Sequence, residues 1–447
     1  MSANEVDRAV QRVAARRPEL GVVVAGVADA LTVGEGVAMI HQAALQEYLW
    51  WRVPRDYLDD EWPQIVEAAV ALLEELGLSR LAALAGSATT VKVLAAWGRS
   101  QAAGGAAFRD ARDASGVEPP DTEVLAWGSI MGLDEARARD TVERALGDAV
   151  DCGQLVPGAP RWRARAAAIT DATLTTPVEL PPGQTLVGLV TTERVGMWIA
   201  GAHHRTLGQW RADVANRLLH PVEPPGDAAS QVAPMLWLLE LAAASGGAAL
   251  TANNYLARAS VLAAVERFGW WEWGPPPHSE ANVHQLATLR EAASRRHWVR
   301  RRGRRLHITT RGAPLVDSPG RLWDELATET EDGGEYTRML AELVGLRLLR
   351  GRVEWGELDR AIAPILHAQG WTSSAGPITD REIRMTTGGP LRWWRIFGVL
   401  DEEESTWERG TGRRLRPHTI GLSVPGERWV LAYLRNRAAG PRHRVSG

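Results

Sequence analysis

The stretch at residues 250–315 constrains the fold of this chain more than any other. It begins with a helix-forming segment, because apolar residues recur at helical spacing until Gly269, a residue type that commonly follows a helix end. Three consecutive prolines at 275–277 cannot continue a helix, and Ser279 is a suitable N-cap for a new one. The second helix carries one apolar stripe, formed by Val283, Leu286, Leu289 and Ala293.

Two short strands are predicted directly after this second helix. Residues 298–300 and 306–308 have the composition of strands, and a turn at Arg302-Gly303 joins them. Two helices followed by a hairpin form the sequence pattern of a winged helix, a helix-turn-helix variant with a β-hairpin wing. The predicted fold class is therefore mainly α with small β-hairpins (α+β), in which tandem winged-helix-like modules follow a helical N-terminal domain.

The charge pattern of this stretch points to nucleic acid. Eight arginines lie between positions 295 and 311, and guanidinium groups bind phosphates bidentately. A wing tip is placed to contact a nucleic-acid backbone or a minor groove. The residues predicted to bind double-stranded DNA are Gln285, Thr288, Arg295 and Arg296 on or beside the second helix, with Arg300, Arg301, Arg302, Arg304 and Arg305 on phosphates. A solvated basic hairpin, or arginines paired with acids of a neighbouring domain, would produce the same pattern.

Composition confines any nucleic-acid surface to a local patch. The 51 Lys and Arg residues are outnumbered by 54 Asp and Glu residues, which gives a formal net charge of −3. The single cysteine, Cys152, excludes an internal disulfide and favours a reducing cytoplasm as the location. Neither a signal peptide nor a transmembrane segment is predicted, so we expect no membrane partner.

No motif of the sequence points to a reaction. It contains no GxxxxGK[ST] loop, no GxGxxG after a strand, no HExxH pair and no GxSxG elbow. We therefore assign no catalytic residue, no metal ligand and no cofactor, and an enzyme is the less favoured class. The 20 tryptophans are interpreted as packing residues between small modules rather than as base-stacking platforms.

Five segments are predicted along the chain. Residues 1–110 form a helical N-terminal domain, 118–220 a winged-helix-like module with an extension, 234–330 the central module, 335–437 a C-terminal module and 438–447 a tail. Glycine and proline mark linkers at 102–121 and 221–234.

The two outer modules are expected to repeat the central pattern. In the 118–220 module we expect helices at 122–131 and 133–152, a hairpin built from 155–158 and 162–169, and a short strand at 186–191. In the C-terminal module, helices at 379–394 and 427–437 flank two strands, and the acidic run at 402–404 lies where a wing tip is expected.

The central stretch resembles a segment of an uncharacterised group of actinobacterial proteins that often carry the label plasmid open-reading-frame-3-like. The resemblance covers about residues 250–323 and depends on Leu250, Thr251, Tyr255, Leu256, Trp270, Trp271, Leu289, Arg290, Glu291, Gly303, Arg304, Leu306 and Gly312. It implies a winged-helix-like fold in a cytoplasmic actinobacterial protein. Asn253-Asn254 and Ile308 depart from the pattern of the group, and no activity carries over from it.

Two other functions are compatible with this sequence. Tandem winged helices also serve as protein-interaction scaffolds, and an acidic third hairpin beside a basic second one suits pairing with another protein or with a second copy. A DNA-base-processing enzyme, such as a winged-helix glycosylase, would need a carboxylate or glutamine facing a cleft beside the basic surface.

Overall fold

The computed structural model describes residues 3–34, 36–179, 183–271, 274–330, 334–373, 376–403, 406–407, 414–416 and 418–442. The chain divides into two compact units: unit 1 comprises Met1–Glu193 and Pro441–Gly447, and unit 2 comprises Arg194–Gly440. Helices make up most of the described chain, and its sheets are small and antiparallel. The prediction of a mainly α protein with small β-hairpins is confirmed at this level.

Unit 1 is built from helices. They are α1 Ala3–Arg16, α2 Gly21–Thr32, α3 Gln42–Glu47, α4 Val53–Asp56, α5 Trp62–Glu75, α6 Ser79–Ala85, α7 Ala88–Arg99, α8 Gln101–Ser115, α9 Leu133–Asp151 and α10 Trp162–Thr175; the division between the units lies within α11 Leu186–Ala200. Ser87 and Ser100 accept hydrogen bonds from backbone amides of the first turns of α7 and α8, so serine N-caps start both helices. Two hydrophobic cores fill the unit, one among α1, α2, α5 and α7 and one around α9.

One segment of unit 1 is long and apolar enough to cross a membrane by length and composition alone. It is Ser79–Arg99, and among the described residues no second segment of this kind is found. The segment is interrupted between α6 and α7, and 44% of it is buried within the protein. Core helices of globular proteins have the same properties, so this segment is weak support for a membrane protein.

The predicted hairpin of the 118–220 module is wrong. Residues 162–169 lie in α10 and residues 186–191 begin α11. Arginine at every second position from 161 to 165 imitates the period of a strand, but alanine, which follows at 166–168, favours helices most strongly and α10 packs along α9. The prediction of a helix at 122–131 is wrong, because these residues are irregular with two bends. Among the described residues of 118–220, the strand-like pairing is a single bridge between Pro177 and Thr185.

The predicted linker at 102–121 is also wrong, because most of it is helix α8. Its glycine at 104 serves a helix contact: a Cβ there would lie well inside the van der Waals distance of the Trp97 indole, which packs against it. A glycine required by close packing therefore imitates the composition of a linker. In the second predicted linker, 221–234, the residues up to Asp227 are irregular. Helix α13 begins directly after Asp227 and therefore lies within the predicted linker.

Unit 2 combines helices with all the named strands. Its helices are α12 Arg205–Leu218, α13 Ala228–Gln231, α14 Ala233–Ala243, α15 Arg258–Phe268, α16 His284–Arg295, α17 Ala313–Val316, α18 Pro319–Ala327, α19 Glu335–Leu348, α20 Trp355–Ala368, α21 Asp380–Ile396 and α22 Val424–Ala439. Its strands are β1 Ala248–Ala249, β2 Val299–Arg302, β3 Arg305–Ile308, β4 Val353–Glu354, β5 Thr372–Ser373, β6 Gly376–Pro377, β7 Leu400–Glu403, β8 Thr406–Trp407, β9 Arg414–Arg416 and β10 Thr419–Leu422. The helices predicted at 379–394 and 427–437 are confirmed as parts of α21 and α22.

Two sets of elements in unit 2 follow the same order of helix, strand, helix, helix, strand and strand. Module A consists of α14, β1, α15, α16, β2 and β3, and its strands are arranged in the order β1-β3-β2. Module B consists of α19, β4, α20, α21, β7 and β10, with the equivalent order β4-β10-β7, and it has two additional strand pairs, β5–β6 between α20 and α21 and β8–β9 between β7 and β10. All four strand pairs are antiparallel. The internal repetition predicted for the second and third modules therefore has a structural counterpart.

Local sequence explains the shape of module A. Gly269 ends α15 with a left-handed φ of 66°, as predicted. Ser279 caps the 3-10 turn that leads into α16, through a capping box with Asn282. The strands β2 and β3 are joined by two residues of which the first, Gly303, has a φ of 55°, the arrangement used in type II′ hairpin turns.

A single hydrophobic core runs through unit 2. Its largest members are five fully buried tryptophans: Trp298, Trp323, Trp393, Trp394 and Trp429. At these positions the interpretation of tryptophan as a packing residue is confirmed. Trp429, for example, stacks on Phe397 with ring centroids 5.0 Å apart and meets Trp323 edge-on at 5.6 Å.

Candidate nucleic-acid interface

The basic hairpin, defined here as β2 and β3 with their turn (residues 299–308), displays its arginines on a two-stranded ladder. Antiparallel register places four pairs opposite each other: Val299 with Ile308, Arg300 with His307, Arg301 with Leu306, and Arg302 with Arg305. Alternate pairs share a face of the ladder. One face therefore packs towards the core through Val299 and Leu306, which are buried. Arg301 shares that face but is exposed, and the other face consists of Arg300, Arg302, Arg305 and His307.

Five arginines in this region have neither an ion pair nor a hydrogen bond from their side chains to any residue that the structure describes. They are Arg300, Arg301, Arg302, Arg304 and Arg311, and all five are exposed. Arg305 is also exposed, and its Nη1 donates to the carbonyl oxygen of Gly247 at 3.1 Å, which ties the turn end of the ladder to the residue before β1. Among the described residues, no neighbouring acid therefore pairs with these five arginines.

Packing of module A does not account for this arrangement. Arg302 lies directly opposite Arg305, and like charges in that position destabilise a ladder. Charges on an edge strand such as β2 can prevent edge-to-edge aggregation. That explanation does not extend to Arg304, in the turn, or to Arg311, which lies after β3. An anionic partner would relieve the repulsion between Arg302 and Arg305 and would give Arg304 and Arg311 a counter-charge.

Helix α16 leads directly into the basic hairpin. His297 has a left-handed φ of 57°, and the backbone amide of Trp298 donates to the carbonyl oxygen of Ala293 at 2.9 Å, so the chain reverses within a few residues. Of the predicted groove residues, Arg295 is exposed on α16, while Gln285 and Thr288 are half-buried. Arg295 pairs with Glu291 at 3.0 Å, one helical turn away, and such exposed pairs contribute little energy.

A buried ion pair fixes α16 within module A. Glu280 is fully buried, and its Oε1 accepts a hydrogen bond from Nε of Arg290 at 2.6 Å. Its Oε2 accepts from the backbone amide of Leu256, also at 2.6 Å. One carboxylate therefore ties α16 to the segment that precedes α15. Arg290, which interrupts the apolar stripe of α16 in the sequence, is explained by this partner.

Arg296 does not belong to the exposed surface. Its side chain is only 12% exposed, and its guanidinium carbon lies 5.4 Å from the ring centroid of Trp298 and 5.9 Å from that of Trp393. Burial lowers the pKa of Arg296, although Glu329 opposes this shift. Arg296 packs between modules A and B, so we remove it from the predicted DNA-binding set. The sequence could not reveal this, because Trp393 is distant along the chain.

Module B presents a different surface at the equivalent strand. The acidic strand β7 takes the place that β2 has in module A. Arg395 binds Glu402 with two hydrogen bonds of 2.8 and 2.7 Å, and Arg352 pairs with Asp401 and lies 3.8 Å from Glu403. Glu402 and Glu403 are thus in a strand rather than at the predicted wing tip, and Glu404 lies outside the described residues. The described acidic charges of this strand are compensated within unit 2.

The described residues offer no arrangement for a metal. Within those ranges, no group of three or more His, Cys, Asp or Glu side chains is placed to hold an ion. Comparison with known proteins gave no relative: no family model, no curated protein and no solved structure matches the chain.

Proposed function

We propose that the protein binds double-stranded DNA through module A, with the basic hairpin on phosphates and the outward side of α16 towards a groove. We interpret module A as a winged helix, because two helices precede an antiparallel hairpin in it; this interpretation supports α16 as the groove-facing helix and β2–β3 as the wing. The observation that carries the proposal is the group of five exposed arginines without a partner among the described residues. The protein is accordingly a regulator or an accessory factor of DNA transactions.

The positive charge that would attract DNA is confined to the basic hairpin. With a formal net charge of −3, the chain as a whole does not attract polyanions, so attraction depends on the concentration of positive charge at the hairpin. Phosphates that bind there release counterions and remove the repulsion between Arg302 and Arg305. Both effects favour binding of a duplex backbone.

The described residues of module B supply no second surface of this kind. Its equivalent strand is acidic, and its described carboxylates already have arginine partners. Among the residues that the structure describes, module A is therefore the module that we propose to bind DNA. The same pairing weakens the alternative of a scaffold that joins a basic hairpin to an acidic one, since the carboxylates of the acidic strand would first have to leave Arg352 and Arg395.

The test is fluorescence anisotropy of the full chain with a labelled duplex over a range of salt concentrations. Replacing Arg301, Arg302 and Arg304 by Ala should weaken binding and flatten its dependence on salt. The matched control replaces Arg217, Arg350 and Arg360, which are exposed in unit 2 and change the net charge equally. The control should bind as the unaltered chain does.

Each other outcome identifies a different function. Absence of duplex binding at low salt, together with a stable complex with one protein, would replace the proposal with the interaction scaffold. Loss of a base from the bound duplex would replace it with the base-processing enzyme. Equal effects of the two triple variants would show that net charge, rather than the basic hairpin, determines binding.

A further inference from the structure

Unit 1 contains a cavity of about 630 Å³, a volume within the range of small-molecule sites. Its walls come from the end of α3, the second half of α8 and the first half of α9. Apolar wall surface is provided by Phe108, Met131 and Ala136, and the remaining wall is mostly charged.

The floor of the cavity is a closed network of two arginines and two glutamates. Arg112 is buried, and its three nitrogens all donate: Nε to Glu118 at 3.0 Å, Nη1 to the carbonyl oxygen of Ala43 at 3.0 Å, and Nη2 to Glu143 at 2.8 Å. Arg139 pairs with both glutamates as well. The two positive and two negative charges of this network cancel, so the network needs no bound ion to neutralise it.

The charged groups on the flanks of the cavity are also compensated. His41 bonds to Asp140 through Nε2 at 2.9 Å, and its Nδ1 accepts from the backbone amide of Ala44 as the cap of α3. Burial lowers the pKa of His41, although Asp140 opposes this shift. Asp140 also pairs with Arg144, and Asp113 pairs with Arg163 at 2.6 Å.

Two charged groups of the wall are left over. Glu47 on α3 and Arg109 on α8 are exposed at the cavity, and neither has an ion pair or hydrogen bond from its side chain to the described part of the chain. They do not neutralise each other by direct contact, because no ion pair joins them. The cavity therefore offers one unpaired carboxylate and one unpaired guanidinium on opposite helices, with apolar surface nearby.

We propose that this cavity binds a small zwitterion of the amino-acid class, whose ammonium group pairs with Glu47 and whose carboxylate pairs with Arg109. The apolar wall at Phe108 and Met131 receives an uncharged side chain of the ligand. A guanidinium group suits a carboxylate because it can donate two parallel hydrogen bonds. A ligand that carries only one of the two charges would leave one wall residue without a partner.

The pH dependence of binding follows from the cavity wall. Partial shielding from water raises the pKa of Glu47 and the negative charge of Glu118 adds to this shift, whereas Arg112, Arg52 and Arg139 oppose it. An ammonium group favours the ionised carboxylate, so affinity for the ligand should increase as the pH rises through the pKa of Glu47.

The experiment is thermal unfolding and titration calorimetry of the full chain with L-leucine and L-phenylalanine. Each is compared with the amine that lacks its carboxylate (isoamylamine, phenethylamine) and the acid that lacks its amine (4-methylpentanoate, 3-phenylpropionate). We expect an amino acid to raise the unfolding temperature and to bind about tenfold or more tightly than either analogue, since one charged hydrogen bond is lost in each.

Variants separate this site from a general ionic effect. Glu47→Gln and Arg109→Gln should each weaken binding about tenfold or more. Asp110→Asn, next to Arg109 on α8 but outside the cavity wall, should leave it unchanged. The proposal is overturned if neither amino acid binds, if an amine or acid analogue binds as tightly as its amino acid, or if Asp110→Asn weakens binding as much as the two wall variants.

Discussion

Replacing Arg290 by Ala tests how α16 is held in module A. The change removes the guanidinium whose Nε lies 2.6 Å from Oε1 of Glu280, and it leaves a fully buried carboxylate with the Leu256 amide as its remaining partner. Breaking a buried pair in this way costs about 3–5 kcal/mol. With a urea dependence near the upper end for small proteins, the loss corresponds to a shift in the unfolding midpoint of roughly 1–2 M.

A matched control lies on the same helix. Arg295→Ala removes an exposed pair with Glu291, one turn along, and should cost less than about 1 kcal/mol. Urea unfolding of both variants gives the comparison, and hydrogen exchange at the Leu256 amide reports the local effect. Replacing both Glu280 and Arg290 by Met should recover most of the loss, because a well-packed apolar pair can substitute for a buried ion pair. The reasoning is refuted if Arg290→Ala costs no more than Arg295→Ala.

Three further predictions concern packing and charge elsewhere. Glu342 is fully buried and accepts hydrogen bonds from Trp198, Arg211 and Arg437. In urea titrations, Glu342→Ala should therefore lower the free energy of unfolding by about 3–5 kcal/mol. The control Glu335→Ala, at an exposed ion pair, should lower it by under about 1 kcal/mol. Gly104→Ala should destabilise unit 1 by about 1–3 kcal/mol because the added methyl group would overlap the Trp97 indole. Gly98→Ala, which has open space around it, should raise the melting temperature slightly. Effects of equal sign would contradict this explanation. Partial shielding from water, with the negative charges of Glu223 and Glu325 nearby, raises the pKa of Asp324 to about 6, so the native state holds this proton more tightly than the unfolded state does. This contribution to stability is present below the unfolded pKa and is lost as the pH rises through about 6. In a pH series of unfolding midpoints, Asp324→Asn should reduce that loss, by under about 1 kcal/mol because the side chain is exposed. An unchanged pH profile would contradict the assignment.

Local patterns predicted module A well because its signals are local. Helical spacing, a glycine after α15, a serine cap and a Gly303 turn each act over a few residues, and each is found where the sequence indicates it. The same rules failed at 162–169, where arginine at every second position, followed by alanine, fits both a strand and a helix exposed on one side. Packing of α10 along α9 decides between the two, and a single segment does not contain that information.

The functional surfaces likewise combine features that the sequence reveals with features that depend on tertiary contacts. The run of arginines in the basic hairpin could be predicted from the sequence, but whether each was paired could not. Arg290 and Arg296 were indistinguishable from their neighbours until Glu280 and Trp393 were placed beside them. The cavity of unit 1 was not predicted at all, since its walls come from three helices separated by long stretches of chain.

The central claim is that the guanidinium groups of the basic hairpin neutralise DNA phosphates. The most direct measurement is the slope of log affinity against log salt concentration for the unaltered chain and for the Arg301, Arg302 and Arg304 triple variant. Each phosphate contact contributes a slope of about 0.9, so the variant should have a slope smaller by roughly 2.7. Equal slopes for the two proteins would contradict the claim.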